Sequence, residues 1–481
     1  MKMKNILVTG ATGYIGGRLI PRLIEKGYNV RCMVRDESRV KGRWEGAEIV
    51  YGDVHNHESI TAALSGIDVA YYLIHSMSAG EDNFVKMDEI AAENFSTKAK
   101  AAGVKRIIYL GGLGSAEQNL SPHLKSRQFT GEKLRISGIP VTEFRAGVIV
   151  GSGSISFEMI RYLTERVPVM ICPKWVITRT QPIAVRDVLR YLIDAISTTQ
   201  SENKILEIGS SDILTYADLM KIYADIRGLK RYLINVPLLT PRLSSYWVDL
   251  VTPIPSKISR PLIEGLKNEV ICNDNTAREI FPFEPISYKE AVTYALQREL
   301  EGKVETIWSG AVSSVNPKNI VNLDLQHKEG MIIEKREMVV NANPQKIFLT
   351  ISRTGGKTGW YMNFLWQLRG LLDRMIGGVG MRRGRRDPEN LVVGDPLDFW
   401  RVEAVEKNIL IRLRAEMKLP GRAWLQFSIR KLDDEKTILN QSAFWEPKGL
   451  FGVVYWYSIY FLHKIIFSGM IKDIKTRSER D

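Results

Sequence analysis

Residues 5–17 read N-I-L-V-T-G-A-T-G-Y-I-G-G, and this stretch decides the fold. Ile6–Val8 is a short apolar run that favours a β-strand, and Gly10 interrupts it. From Tyr14 onwards the apolar residues recur at helical spacing: Ile15, Leu19, Leu23 and Ile24. A strand, a glycine turn and a helix in this order predict the first unit of a dinucleotide-binding fold.

The glycines of this stretch are spaced G-x-x-G-x-x-G, and each has a distinct expected task. Gly10 allows the tight turn, Gly13 lets the backbone approach a pyrophosphate, and Gly16 lets the helix pack closely on the strand. The free N–H groups at the helix start would face the phosphates, where the helix dipole adds roughly 0.3–1 kcal/mol. We therefore predict a nucleotide site that contains Gly10, Thr12, Gly13, Tyr14, Ile15 and Gly16.

Composition sets the broad class of the protein. The chain has 481 residues, of which 44 % are hydrophobic, and this suits two or three domains. Cys32, Cys172 and Cys272 lie far apart, which predicts neither a disulfide framework nor a zinc site and fits a reducing cytoplasm. The net charge of +13 attracts anions in general, but no nucleic-acid motif accompanies it. We predict no metal and no nucleic-acid partner.

Apolar segments long enough for a membrane are not expected. The N-terminal apolar run is too short for a signal peptide, and the longest charge-free apolar run, Gly449–Leu462, falls short of the ~20 residues that a spanning helix needs. We therefore expect a cytoplasmic protein, and a peripheral contact at the inner face of the membrane stays open.

The second predicted strand, Asn29–Val34, is followed directly by Arg35. In NAD-specific folds an acidic side chain near this point binds the ribose 2′-hydroxyl. Arg35 could instead pair with a 2′-phosphate, a charge-assisted bond worth roughly 1.5–3 kcal/mol. The sequence therefore favours NADP(H) over NAD(H), although the adjacent Asp36 keeps NAD(H) open.

The third predicted strand, Ala47–Tyr51, ends at Gly52-Asp53-Val54. Asp53 could accept a hydrogen bond from an adenine amino group while Val54 packs on the ring. An N-cap role of Asp53 for a helix that begins near His55 explains the sequence equally well.

The fourth predicted strand, Val69–Ile74, leads into His75, so that Ile74 and His75 would lie beside a nicotinamide ribose. Further strands and helices alternate over 82–102, 105–110, 121–137 and 141–144. This alternation predicts an α/β fold, a doubly wound parallel sheet with helices on both faces.

Four motifs carry a family resemblance: T-G-A-T-G-Y-I-G at 9–16, G-D-V at 52–54, S-G-I-P-V-T-E-F-R-A-G-V-I-V-G at 137–151 and Q-P-I-A-V-R-D-V at 181–188. Together they resemble the atypical short-chain dehydrogenases/reductases of the NmrA-like and extended subgroups. The resemblance is strongest to a bacterial YbjT-like group that carries a C-terminal domain of unknown function. It implies a Rossmann domain with a small substrate lobe over 1–305, followed by a linker over 306–325.

Active members of that family use a Tyr-x-x-x-Lys pair for acid–base work. The matching positions here are His123 and Arg127, and Gly111-Gly112 stands where a serine is expected, with Ser115 as the nearest hydroxyl. The resemblance implies that His123 could exchange the proton, since imidazole titrates near pKa ~6.5. Arg127 could bind the cofactor ribose but cannot share protons. A capping or solvated role for His123 stays open.

The C-terminal third has a different pattern. Met331–Val340 predicts a strand, Asn343–Ile351 a capped helix, and the period of two after Asp398 an antiparallel meander. A last helix over 450–475 would carry an apolar stripe of Phe451, Val454, Tyr455, Ser458, Phe461, Leu462 and Ile465. The pattern resembles an α+β helix-grip (START/SRPBCC-like) domain over 326–481, a family that holds apolar ligands between sheet and helix.

Between these elements, Gly355–Arg386 combines aromatic side chains (Trp360, Tyr361, Phe364, Trp366) with arginines (Arg382, Arg383, Arg385, Arg386). This combination is typical of contact with an anionic membrane surface. A groove-lining helix followed by a solvated basic loop explains it as well. We interpret the aromatic run of the last helix as core.

Three functions compete at this point. The first is an NADP(H)-binding oxidoreductase that acts on an apolar carbonyl or quinone-like small molecule, held with help of the C-terminal domain. The second is a non-enzymatic NAD(P)-sensing regulator or assembly factor, and lipid binding with a structural nucleotide is a third reading. The sequence leaves the substrate, the direction of hydride transfer and the oligomeric state open.

Overall fold

The computed structural model describes residues 4–37, 40, 42–75, 84–114, 120–236, 248, 252, 254, 256–300, 305–306, 331–381, 385–433, 436–447 and 449–480. The chain divides into two compact units, Met1–Glu37 with Trp44–Ala311 (the N-terminal unit) and Ser38–Arg43 with Val312–Asp481 (the C-terminal unit). Almost all of the predicted linker lies outside the described residues, so its boundaries stay a prediction.

The N-terminal unit alternates strands and helices. Its strands are β1 (Asn5–Val8), β2 (Asn29–Val34), β3 (Ala47–Tyr51), β4 (Val69–Tyr72), β5 (Arg106–Gly112), β6 (Val141–Ala146), β7 (Ile149–Val150), β8 (Val169–Pro173), β9 (Arg179–Thr180), β10 (Ile183–Ala184), β11 (Ile205–Ile208), β12 (Leu214–Thr215) and β13 (Tyr232–Val236). Its helices are α1 (Gly16–Glu25), α2 (His57–Leu64), α3 (Phe84–Ala101), α4 (Pro122–Arg135), α5 (Ile155–Arg166), α6 (Val185–Asp194), α7 (Tyr216–Ile226), α8 (Ser256–Gly265), α9 (Thr276–Ile280) and α10 (Tyr288–Leu300).

Seven strands form the main sheet in the order β11-β6-β5-β4-β1-β2-β3. Each neighbouring pair is parallel. The predicted doubly wound Rossmann sheet is therefore confirmed. The strand order reverses between β1 and β4, and in such sheets ligands bind at the carboxyl ends of the strands at this reversal.

A smaller layer follows the main sheet. Short strand pairs β8–β13, β9–β12 and β7–β10 lie beside α5, α7 and α10. Buried aromatic side chains, among them Phe157, Tyr223 and Tyr288, fill the space between these helices. This layer occupies the part of the chain in which the resemblance implies a substrate lobe.

The C-terminal unit is a mostly β structure. Its strands are β14 (Ile332–Val340), β15 (Pro396–Leu397), β16 (Trp400–Glu406), β17 (Leu410–Ala415), β18 (Gly421–Lys431) and β19 (Thr437–Pro447), and its helices are α11 (Pro344–Arg353), α12 (Asn363–Met375) and α13 (Gly449–Arg480). The antiparallel sheet has the order β14-β19-β18-β17-β16-β15, so the first strand pairs with the last. The predicted strand, helix and meander are all present.

Helix α13 packs on the sheet with a face that the sequence did not identify. Trp456, Phe467 and Ile471 are buried in the core of the unit, whereas Val454 and Phe461 of the predicted stripe are exposed. The interpretation of the whole aromatic run as core is therefore wrong. The helix carries apolar residues on two faces, and periodicity alone does not say which of them meets the sheet.

Candidate functional site

The loop between β1 and α1 requires its glycines. Gly10 has φ +65°, and a Cβ there would strike the carbonyl oxygen of Leu73, directly after β4. A Cβ at Gly16 would strike the carbonyl oxygen of Gly10, so Gly16 packs on the turn and not on the strand as predicted. The Gly13 N–H donates to the Gly10 oxygen at 2.9 Å and closes the turn.

The start of α1 suits an anion. Ile15 occupies the N-cap position and provides no side-chain hydrogen bond, and the first turn contains no acidic residue. Backbone N–H groups at such a helix start attract phosphate oxygens. Thr12 and Tyr14 of the same loop are half-buried. The loop therefore fits a nucleotide pyrophosphate.

The loop between β1 and α1 is stabilised by hydrogen bonds to Thr306, which is distant in the sequence. The Arg18 guanidinium lies 4.7 Å from the centre of the Tyr14 ring and donates through Nε to Thr306 Oγ1 at 2.9 Å. Thr306 Oγ1 in turn donates to the Tyr14 carbonyl oxygen at 2.9 Å. Burial raises the pKa of Tyr14 to about 12, so its hydroxyl stays protonated at neutral pH.

Two further predicted cofactor residues lie at the carboxyl ends of β2 and β3. Arg35 is exposed and Asp36 is half-buried directly after β2. After β3, the Asp53 carboxylate accepts from the backbone N–H of His55 at 3.0 Å. Because Asn56 caps α2, accepting from the N–H of Glu58 at 3.0 Å, the N-cap reading of Asp53 is wrong.

Two predicted apolar cofactor contacts belong largely to the core. Val54 is 6 % exposed and shares a buried cluster with Met33 and Ile60. Ile74 is partly buried and packs against the same cluster. Little of the Val54 side chain is therefore left to face an adenine ring.

Two of the remaining predicted site residues, His75 and His123, form a row of hydrogen bonds that follows β4. His75 Nδ1 lies 2.8 Å from Asp88 Oδ2, and His75 Nε2 lies 3.2 Å from His123 Nδ1. Ser126 Oγ also donates to Asp88 Oδ2, at 3.1 Å. We call Asp88, His75 and His123 the histidine relay. Since His123 bonds to His75 and Ser121 caps α4, the capping or solvated reading of His123 is wrong.

The carboxylate sets the tautomers of the histidine relay. Asp88 can only accept, so His75 carries its proton on Nδ1 and presents a bare Nε2. His123 must then donate from Nδ1, which leaves its own Nε2 as an acceptor at the outer end. The relay is thus a continuous path along which one proton can move between His123 Nε2 and Asp88.

Burial keeps both rings uncharged. Burial lowers the pKa of His75, and the hydrogen bond that His75 donates to Asp88 opposes this shift. Burial, followed by the neighbouring His75 and Arg127, holds the pKa of His123 well below its usual range. At neutral pH both imidazoles are therefore neutral, and a proton added to the relay is stabilised mainly at His75, beside the carboxylate.

Arg127 lies on the next turn of α4, but its guanidinium is turned to β5. It donates to the carbonyl oxygen of Leu110 and lies 5.4 Å from the centre of the Tyr109 ring. A Cβ at Gly112 would come within 3.1 Å of Leu124, so β5 leaves little room for the expected serine. Ser115 lies outside the described residues. A contact of Arg127 with cofactor stays a prediction.

Sequence reasoning missed Asp88 and Ser126. One signal was available for Asp88. It stands at helical spacing before Ala91, Ala92 and Phe95, all of them buried, so it is an acid on the apolar face of α3. An acid in that position needs a buried partner, and the sequence could not say that the partner is His75.

A second group of polar side chains lies inside the C-terminal unit. We call Glu334, Arg336, Gln441 and His463 the interior polar set. Gln441 is fully buried, and within the described residues neither its Oε1 nor its Nε2 has a hydrogen-bond partner. Glu334 Oε2, Arg336 Nη1 and His463 Nδ1 also lack one there. Each such atom costs roughly 1–3 kcal/mol.

The interior polar set spans the gap between sheet and helix. Arg336 on β14 lies opposite Gln441 on β19 in the strand register, and Arg336 Nε donates to Ser468 Oγ on α13 at 3.1 Å. Burial, and then the charge of Arg336, lowers the pKa of His463 to about 4. The core residue Phe467 lies beside both His463 and Arg336. Polar groups next to apolar side chains suit the polar end of an otherwise apolar molecule.

Comparisons with known proteins divide the chain in the same way. Residues 10–145 match a family model described as NAD(P)H-binding, and residues 332–470 match one described as Protein of unknown function (DUF2867). The N-terminal unit has a Rossmann fold, and its first half matches the NAD(P)H-binding family. No helix in the described ranges is long and apolar enough to cross a bilayer.

Curated relatives resemble the N-terminal half. Photosystem II assembly factor Ycf39 of Cyanophora paradoxa is 24 % identical over 239 residues, which are 49 % of this chain and 72 % of that protein. Divinyl chlorophyllide a 8-vinyl-reductase of Arabidopsis thaliana is 21 % identical over 250 residues, 49 % of this chain and 60 % of the reductase. The relatives thus include both a reductase and an assembly factor.

Solved structures show the same fold. The triphenylmethane reductase of Citrobacter sp., solved as a complex with NADP(H), superposes with a TM-score of 0.50 at 21 % identity. The match covers 60 % of this chain and 99 % of the reductase. At this identity the likeness establishes the fold of the N-terminal unit.

Proposed function

We propose that the protein is an NADP(H)-dependent reductase of an apolar carbonyl or quinone-like molecule. The histidine relay is the observation that carries the proposal. It follows β4, and the glycine loop follows β1, so that both lie at the carboxyl edge of neighbouring parallel strands. A buried, oriented proton path beside a nucleotide loop has a clear use in hydride chemistry.

The residues that would hold the nucleotide are those of the glycine loop, with Arg35 for the 2′-phosphate and Asp53 for the adenine. When bound, the nicotinamide supplies or accepts the hydride. The chain itself handles the proton. In the protonated relay His75 carries protons on both ring nitrogens, and His123 carries one on Nε2 and accepts from His75 at Nδ1. To reduce a carbonyl, His123 gives its Nε2 proton to the substrate oxygen and takes the His75 Nε2 proton on Nδ1, which restores the resting tautomers. Oxidation of the alcohol runs the same path in reverse.

The resting state of the histidine relay sets the pH dependence. Since both rings are neutral at neutral pH, reduction must begin with protonation of the relay, and its rate should rise as the pH falls from 8 towards 6. Because the pKa values of both histidines are lowered, only a small fraction of the relay is protonated at neutral pH, but that fraction is a strong proton donor.

The structure of the C-terminal unit favours the proposal that the substrate is apolar. Its first strand beside the last, its two helices after the first strand and its long terminal helix fit the helix-grip pattern. The interior polar set would bind a carbonyl or hydroxyl of a molecule whose body lies among apolar side chains. The relative from Arabidopsis thaliana is named for the reduction of a chlorophyllide, and this supports a large apolar ring as substrate.

One observation favours a second function. The family's tyrosine–lysine pair is replaced by His123 and Arg127, and one group of relatives is named for assembly of photosystem II. A nucleotide-dependent assembly factor needs no proton donor. It would bind NADPH tightly and fail to oxidise it with any acceptor.

Oxidation of NADPH tests the proposed function. The whole chain is mixed with NADPH and a panel of quinones and aromatic carbonyls, and the loss of NADPH absorbance is followed between pH 6 and 8. We expect turnover with at least one apolar acceptor, faster at pH 6. Tight NADPH binding with no turnover across the panel would support the assembly factor instead.

Arg35 decides the choice of cofactor. We expect titration calorimetry to show that NADPH binds at least about tenfold more tightly than NADH, a difference of ~1.4 kcal/mol. Arg35→Ala should abolish the difference by weakening NADPH alone, because the guanidinium pairs only with the 2′-phosphate. Arg31→Ala is the matched control, since Arg31 lies on β2, which precedes Arg35, and pairs with Glu48 at 2.7 Å. Equal affinities in the wild type would contradict the assignment.

A further inference from the structure

The outer side of α12 is apolar. Phe364, Leu368, Leu371, Leu372 and Met375 of this helix are exposed, and so is Ile376 directly after it. The exposed fraction of Met375 reaches 76 %. Single exposed apolar residues are ordinary, but a short helix that exposes this many is not.

The first half of α13 adds a second apolar surface. Its exposed side chains are Val454, Tyr457, Tyr460, Phe461, Leu462 and Ile465, with Phe461 73 % exposed. The two helices are neighbours, since the rings of Trp366 on α12 and Phe467 on α13 lie 6.4 Å apart. We call the exposed apolar side chains of both helices the apolar face.

The charges around the apolar face have one sign. The only acid of α12 is Asp373, which is fully buried and accepts from the N–H groups of Gly380 at 2.8 Å and Lys418 at 2.7 Å. Residues 449–472 contain no acid at all. The cations of these segments are Arg369, Arg374, Lys464 and Lys472, and Lys418 Nζ donates to the carbonyl oxygen of Ile376 directly after α12.

An apolar face bordered by cations matches an anionic lipid surface. Helices that lie in the membrane interface combine apolar and aromatic side chains with lysines and arginines. A second copy of the chain fits less well, because a two-fold contact would bring two positively charged faces together. The positive charge around the apolar face therefore favours an anionic lipid surface over a second copy of the chain as the partner.

We propose that the apolar face binds the protein reversibly to anionic membranes. Insertion of Met375 and Phe461 between lipid headgroups would remove their side chains from water while the lysines and arginines meet lipid phosphates. The inference does not depend on the reductase activity. If both hold, an apolar substrate can reach the protein from the bilayer.

Vesicle sedimentation of the whole chain tests the proposal. Vesicles of phosphatidylcholine alone are compared with vesicles that contain phosphatidylglycerol as well. We expect binding to the anionic vesicles only, weakened at least tenfold in high salt because screening shortens the reach of the charges. Met375→Gln with Phe461→Gln should weaken binding to anionic vesicles by at least tenfold.

The matched control is Ile177→Gln, since Ile177 is 61 % exposed and belongs to the N-terminal unit. It should bind like the wild type, and thermal unfolding should confirm that both variants are folded. Failure of the wild type to bind anionic vesicles would overturn the proposal. So would equal binding by the double variant, or self-association of the wild type that the double variant abolishes in the absence of lipid.

Discussion

Replacement of His123 by glutamine is expected to lower kcat for NADPH oxidation by about 10²- to 10⁴-fold, the usual worth of a positioned acid or base. Glutamine keeps a hydrogen-bonding side chain at this position but cannot be protonated, so the path from His75 loses its outer end. NADPH affinity should not change, because His123 is not among the residues assigned to hold the nucleotide. Stopped-flow absorbance and calorimetry measure the two quantities.

Two further variants separate a proton path from a structural role. Asp88→Asn removes the charge that opposes the low pKa of His75, so the pKa falls further and the rise in reduction rate moves to lower pH. His55→Gln is the control, because His55 is exposed at the surface outside the histidine relay. An unchanged pH profile in Asp88→Asn, or full activity in His123→Gln, would contradict the relay.

Replacement of Arg401 by methionine should destabilise the C-terminal unit by about 3–5 kcal/mol. Arg401 is 1 % exposed and lies 3.0 Å from Glu416, which is fully buried. It also donates to the carbonyl oxygen of Gly394 at 2.8 Å. Methionine fills similar space but leaves the Glu416 carboxylate without its nearest countercharge. Urea unfolding followed by tryptophan fluorescence measures the change.

Two further variants test whether the stability lost in Arg401→Met is lost because a buried charge is left unpaired. Arg401→Met with Glu416→Leu should recover most of the stability, because no buried charge is then left unpaired, and Arg414 keeps Glu403 at 3.7 Å. Arg353→Met removes a still shorter pair, 2.6 Å from Glu389, but both side chains are nearly half exposed, so it should cost less than ~1 kcal/mol. Equal losses in Arg401→Met and Arg353→Met would contradict this account.

The parts of the fold that the sequence predicted are those fixed by local chemistry. The glycine loop, the strands beside it and the meander after Asp398 follow from turn residues and from periods of two or 3.6. His75 was predicted for the site because it follows the end of a strand. His123 was predicted because it aligns with a catalytic position of the family. Their contact joins residues 48 positions apart and depends on how α3 and α4 pack.

The parts that were missed depend on which surface meets which. On α13 both faces are apolar, and only the sheet decides that Phe467 is covered and Phe461 is not. On β14 and β19 the alternation is regular, yet it does not show that Arg336 and Gln441 face inwards together. Such facts arise from packing between distant segments, which no local pattern records.

Because Thr306 stabilises the glycine loop, the order in which the two segments are translated affects when the loop can take its final structure. Tyr14 and the residue that binds its carbonyl oxygen are 292 positions apart. At the usual pace of translation, Tyr14 leaves the ribosome roughly 15–60 s before Thr306 does. During that interval Arg18 lacks Thr306 as a hydrogen-bond acceptor. The glycine loop therefore reaches its final form only after Thr306 is made, and a fragment released before then would carry all seven strands of the main sheet without this hydrogen bond.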